Sequence, residues 1–183
     1  MSLQSVMRCV VGGLLLLGVS YLTPDVVAQA GKAAGKVSVD ANTIAIASVS
    51  AVGYKSTMGQ LVSVLLTDKP ADDKSFAADL RGVPANEMVP GLISGAWKSQ
   101  HFGKRFSGLT LTISSDGKIL DNELLVGGKN ETFSLSSDEF VVELTSKSPR
   151  IAGRVRTKTP IVDVGKKVSV DVTFDAPLSA PPK

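Results

Sequence analysis

The sequence predicts an all-β protein: an antiparallel β-sandwich or small barrel of about 8–10 strands, with a short helical turn in its central connection. Apolar residues alternate with polar ones along most of the chain beyond Lys36, as they do in half-buried strands. Turn residues break that alternation at near-regular intervals, as at Asp40-Ala41-Asn42, Asp68-Lys69-Pro70 and Ser115-Asp116-Gly117-Lys118. A chain of 183 residues with 43% hydrophobic side chains can build one core and is too short for a large multidomain enzyme.

The first thirty residues read as an address. Arg8 precedes an apolar run from Cys9 to Leu22, Thr23-Pro24 breaks it, and Ala28-Gln29-Ala30 offers a small-residue cleavage site. The run has fourteen residues, short of the roughly 18 apolar residues expected of a membrane-spanning helix. The expectation is a signal peptide over residues 1–30, cleaved after Ala30 to give a periplasmic or secreted chain with no transmembrane span. An uncleaved anchor is the alternative. Cys9 lies before the run, so it is not placed as a lipoprotein cysteine and leaves with the leader. The mature chain then has no Cys, which suits an oxidising compartment without disulfides. Losing Arg8 and Asp25 leaves 153 residues with 19 basic and 16 acidic groups, still +3.

Each element can be placed in turn. Gly31–Lys36 is Gly/Ala/Lys-rich and reads as a flexible lead-in to a single β domain over 37–178. Val37 and Val39 alternate, and after the turn a β-like run covers Thr43–Tyr54. Ile44 and Ile46 share one parity and Val49 has the other, which predicts a bulge near Ala47-Ser48. Leu61–Thr67 is the next strand. Pro70–Pro90 reads as a long connection and a seam between two halves of the sheet system, with one or two helical turns where Phe76 and Leu80 stand four apart. Phe106–Ile113 and Ile119–Val126 flank an Asp-Gly hairpin turn. Thr132–Leu135, Phe140–Thr145, Arg150–Thr157 and Val168–Phe174 complete the strands, and the Pro-rich tail 179–183 reads as mobile.

Composition excludes several functions. A net charge of +3 is too small for a basic nucleic-acid arm, and one Cys cannot build a disulfide framework or a Cys-based zinc site. The expectation is no cofactor, no metal and no catalytic residue. A small hydrolase with a site in loop 70–105 is the alternative, because His101 is the only histidine and Ser99 is near it in sequence. No G-x-S-x-G elbow supports that alternative. Trp97 reads as a core anchor or, more sharply, as a ligand platform. Among paired carboxylates, Asp72-Asp73 lies in a loop, Asp121 and Glu123 share a solvated strand face, and Asp171 pairs in spacing with Asp175. Asn130-Glu131-Thr132 fits the N-glycosylation pattern.

The densest positional signal is cationic. Arg150, Arg154, Arg156 and Lys158 all fall on even positions, so a strand carries them on one face along roughly 27 Å, at about 3.3 Å per residue. Such a row suits an anionic partner, an envelope protein or an acidic polymer. The preferred reading of the row is a solvated face balanced by Asp121, Glu123 or Glu143 on neighbouring strands. No aromatics interleave the row, which argues against nucleic acid.

Gly35-Lys36-Val37-Ser38-Val39-Asp40, Val64–Pro70, Gly153–Thr157 and Val170–Leu178 together resemble small exported bacterial all-β proteins of unassigned function. That resemblance implies an envelope or secreted setting and carries over no functional residue. The functional expectation is an exported binding or interaction module without enzymatic activity, with an inhibitor or structural envelope protein as a further alternative.

Overall fold

The computed structural model describes residues 31–181 apart from 85, 86, 104, 127–130 and 164. The expected signal peptide and Asn130 therefore lie outside the described residues. Strands β1 (Lys32–Val39) and β2 (Asn42–Ile46) form a hairpin, and the chain then crosses to a second sheet for β3 (Ser48–Ser56) and β4 (Gly59–Thr67). Helices α1 (Asp73–Asp79) and α2 (Pro90–Phe102) follow. The chain returns to the second sheet with β5 (Gly108–Ser114), β6 (Ile119–Val126) and β7 (Glu131–Phe133). It closes in the first sheet with β8 (Phe140–Ser146), β9 (Arg150–Thr157), β10 (Ile161–Asp163) and β11 (Lys166–Pro177). The first sheet is ordered β2-β1-β11-β9-β8, with β10 also on β11; the second is ordered β3-β4-β5-β6-β7. All the strand pairings are antiparallel, and the two sheets make a sandwich.

The parity change between Ile46 and Val49 has a larger cause than the expected bulge. Ile46 ends β2 in one sheet and Val49 lies in β3 of the other, so the chain switches sheets at Ala47, whose N–H bonds to Thr67 O at 2.9 Å. Both residues still reach the same inter-sheet core because the two inner faces oppose each other. The register irregularities fall instead between Thr112 and Ile113 and between Leu144 and Ser146.

The ends also differ from the sequence expectation. The lead-in over Gly31–Lys36 is largely strand, because Lys32 to Lys36 pair with Asp175 to Asp171 of β11. The tail is tied at Ser179, which exchanges backbone hydrogen bonds with Ala51 and Gly53 along β3. Backbone pairing needs no apolar pattern, so Gly/Ala/Lys and Pro-rich segments conceal it.

The connection over Pro70–Pro90 is no seam, for β4 and β5 on either side of it are neighbours, paired from Leu61↔Ser114 to Thr67↔Gly108. Gly108 allows that approach: a Cβ there would lie 1.9 Å from Leu66 O. The excursion lays its two helices over the outer face of the second sheet and makes a third layer. A separate core fills that space, with Leu61, Leu65 and Leu125 from strands meeting Phe76, Leu80, Ile93 and Trp97. This double coverage explains why β4 reads as a near-continuous apolar run.

Helix α1 matches the expected helical turn, with Asp72 as its N-cap accepting from the N–H groups of Lys74 and Ser75. Helix α2 is where a loop was expected. Pro90 starts it, a position where proline's missing N–H costs nothing. Its buried positions are Ile93, Ala96, Trp97, Gln100 and His101, an amphipathic stripe whose last two members are polar. Gln100 explains its own burial by clasping Asp72: its side-chain oxygen accepts from Asp72 N–H at 2.8 Å and its amide donates to Asp72 O at 2.9 Å.

Candidate functional site

Arg150, Arg154 and Arg156 lie where their parity put them, on the outer face of the first sheet, whereas Lys158 falls just past the end of β9. Ile151 and Val155 are buried beneath the arginines, and Arg154 and Arg156 stand opposite Thr173 and Asp171 of β11. Each candidate has a partner. Arg150 Nε donates to Asp175 at 2.8 Å, and Arg154 grips Asp171 through Nε and Nη2, both at 2.8 Å. Arg156 reaches Glu143 at 3.4 Å, and Lys158 donates to the backbone carbonyl of Asp138. The hydrogen bond from Arg154 holds the Asp171 carboxyl below its ordinary range, with Arg154, Arg156 and Lys36 adding attraction through space. The same contact raises the Arg154 guanidinium.

Register extends the pattern across the sheet. Lys32 and Lys36 of β1 stand opposite Asp175 and Asp171 of β11, and Glu143 of β8 stands opposite Arg154. Charge therefore alternates in columns, cationic on β1 and β9 and acidic on β11 and β8. The balance is unequal. Along the paired columns, five cations (Lys32, Lys36, Arg150, Arg154, Arg156) share this face with three carboxylates (Glu143, Asp171, Asp175), and Lys167 stands beyond them beside Asp40, whose carboxylate accepts from its backbone N–H. Lys32, Lys36 and Lys167 make no salt bridge among the described residues.

The hydrolase alternative requires His101, a serine and an aspartate to share a pocket, and the residues named for it are apart. His101 is buried at 1% exposure, with Nδ1 2.8 Å from Phe106 O. A carbonyl only accepts, so Nδ1 carries the proton; Nε2 has no hydrogen-bond partner. Ser99 is two positions away and on a different side of α2, exposed and donating to Asp79 of α1. Trp97 is 1% exposed and stacks on Phe76 at a centroid distance of 5.2 Å, so it anchors the helical layer rather than forming a platform. Asp72 is committed as an N-cap and to Arg105 at 2.6 Å, and its hydrogen bonds from Ser75 and Arg105 lower its carboxyl to about 2.

Two features escaped the strand pattern. The outer face of the second sheet buries polar groups beneath the helices. Tyr54 Oη lies 3.0 Å from Ser63 Oγ, which lies 2.9 Å from Thr112 Oγ1, and all three residues are at most 4% exposed. Asp121 and Glu123 share this face as expected, but they are partly buried rather than solvated. Lys98 of α2 reaches down to form an ion pair with Glu123. Burial raises the Asp121 carboxyl, and Glu123 pushes it further in the same direction. The helix that covers these carboxylates could not be read from β6 itself.

The second feature is a groove of about 320 Å³ between α1 and α2. Leu80, Leu92 and Ala96 give it an apolar lining, and Asp79 and Ser99 a polar one. Its parts come from two helices separated by the connection, one of which the sequence concealed.

No family model matches the chain, and neither a curated protein nor a solved structure matches it.

Proposed function

We propose that the domain is an exported binding module of the bacterial cell envelope or extracellular space that engages an anionic partner through the outer face of its first sheet. The observation that carries this reading is the unequal charge along the columns of that face, five cations against three carboxylates. Each carboxylate bonds a guanidinium without cancelling the excess, and Lys32 and Lys36, which make no salt bridge among the described residues, stand across β11 from the arginines. An open sheet face offers those groups to an extended acidic partner as two cationic columns on either side of β11, roughly 9–10 Å apart at twice the strand spacing. The leader layout, with Arg8 before an apolar run and Ala28-Gln29-Ala30 after it, supports export.

Retention on immobilised poly-L-glutamate tests the face. Binding is expected at low ionic strength and lost by about 0.5 M salt, where screening is complete over a few ångströms. The fourfold reversal Arg150→Glu, Arg154→Glu, Arg156→Glu and Lys158→Glu is expected to abolish it. Retention that survives that reversal overturns the reading. Mass spectrometry of the exported chain is expected to give Gly31 as its first residue.

A further inference from the structure

We propose that the groove between α1 and α2 binds a small organic cation with an apolar body, its ammonium held at Asp79. The inference is independent of the charged sheet face, which has the opposite chemistry and lies in a different layer.

Electrostatics set the sign of the ligand. Asp79 is the only charged residue lining the groove, and it makes no salt bridge among the described residues. It stands in the last turn of α1, which has no basic residue there. A carboxylate at a helix C-terminus faces the negative end of the backbone dipole, so the local field lacks a cation. Ser99 supplies one hydrogen bond to Asp79 Oδ2, leaving the other carboxylate oxygen for a ligand N–H. The Asp79 carboxylate disfavours a second negative charge beside it.

The glycines set the shape. Gly91 and Gly95 lie four apart on α2, on one side of the helix, and both line the groove. Glycine is the poorest helix former after proline, so two in one helix require a reason. Packing within this chain does not supply it. A Cβ built at either position meets nothing within 4 Å, and neither backbone has a positive φ. The space that side chains would take is the groove. Leu80 at 1% and Ala96 at 6% exposure form its firm apolar wall, and Leu92 at 40% stands at its open side. The groove is open along one side, where Asp79, Gly91, Leu92, Gly95 and Ser99 are all exposed, and its volume is about 320 Å³.

Titration of the purified protein with hexylammonium tests the proposal, with 1-hexanol and hexanoate as the neutral and anionic counterparts. The readouts are the backbone amide shifts of Gly91, Gly95 and Ser99, which line the groove. Saturable shifts are expected with hexylammonium, about tenfold weaker ones with hexanol, and none with hexanoate. Gly95→Leu is expected to abolish binding by filling the groove. Asp79→Asn is expected to bring hexylammonium and hexanol to within about twofold of each other, a readout that does not depend on how Gly95→Leu folds. Equal binding of hexanol and hexylammonium by the unaltered protein, which marks an apolar groove only, overturns the proposal. So does the absence of saturable shifts.

Discussion

The outer faces of the two sheets carry similar residue types in opposite settings. On the first sheet, Arg154 and Asp171 meet at 2.8 Å with side chains about half exposed, at 45% and 51%. On the second, Glu123 pairs with Lys98 with its side chain only 14% exposed, under a helix. Water screens the first pair and is largely excluded from the second, so ion pairs of similar residue types have unequal consequences. The open face can exchange its partners for an outside ligand at little cost. The covered face has its polar groups committed to holding the helical layer in place.

That contrast is broken most forcefully at Trp97. Replacing it with Ala removes the largest buried side chain of the helical layer, stacked on Phe76. The expected loss of unfolding free energy is about 3–5 kcal/mol, read from denaturant midpoints at constant m. A loss under about 1 kcal/mol, the range of a surface site, is incompatible with a packed third layer.

The buried hydroxyl chain comes next. Ser63→Ala removes the middle of the Tyr54–Ser63–Thr112 chain and leaves its neighbours short of a partner in a dry site. The expected cost is about 1–3 kcal/mol. The triple change Tyr54→Phe, Ser63→Ala and Thr112→Val removes every hydroxyl of the chain together. It is expected to be less destabilising than the sum of the single changes, since no buried donor is left stranded.

The contrast between the faces also locates what the sequence could and could not tell. Alternation at Val168, Val170, Val172 and Phe174 identified the inner face of β11, and all four residues are in the inter-sheet core. The even positions of Arg150, Arg154 and Arg156 identified the outer face of β9. Alternation was equally clear at Thr110 and Thr112 of β5, yet both are 2% exposed, because alternation reports two unlike faces without saying what covers the polar one. The cover itself was obscured by Gln100 and His101 at apolar positions of α2 and by Gly91 and Gly95 within it. Those same departures from a good helix shape the groove and clasp α1. The candidate groove was therefore illegible for the reason that makes it a candidate.

Asp121 gives the covered face a pH signature. Burial, then Glu123, raises its carboxyl above the ordinary aspartate value of 3.8. Its native form thus holds a proton more tightly than its unfolded form, so its contribution to stability is largest in acid. That contribution declines as pH rises from 3.8 through the raised native value and stays lost at neutral pH. Asp121→Asn is expected to increase stability at pH 7 relative to the parent, with the advantage shrinking toward pH 3. A variant less stable than the parent at pH 7 contradicts the assignment of burial as the main cause.

The smallest effect belongs to the open face. Arg154→Ala breaks the two-point contact with Asp171, the best geometry in the charged columns. Both groups are about half exposed, so the expected stability loss is only about 0.2–1 kcal/mol and shrinks further in high salt. The same change raises the native Asp171 carboxyl, because the Arg154 hydrogen bond is the first cause of its lowering. Titration of Asp171 by carbon-detected NMR is therefore expected to move upward when Arg154 is removed, even where the stability change is within error. A large stability loss with no movement of Asp171 contradicts this contrast, for it requires Arg154 to act through packing on a face read as solvated.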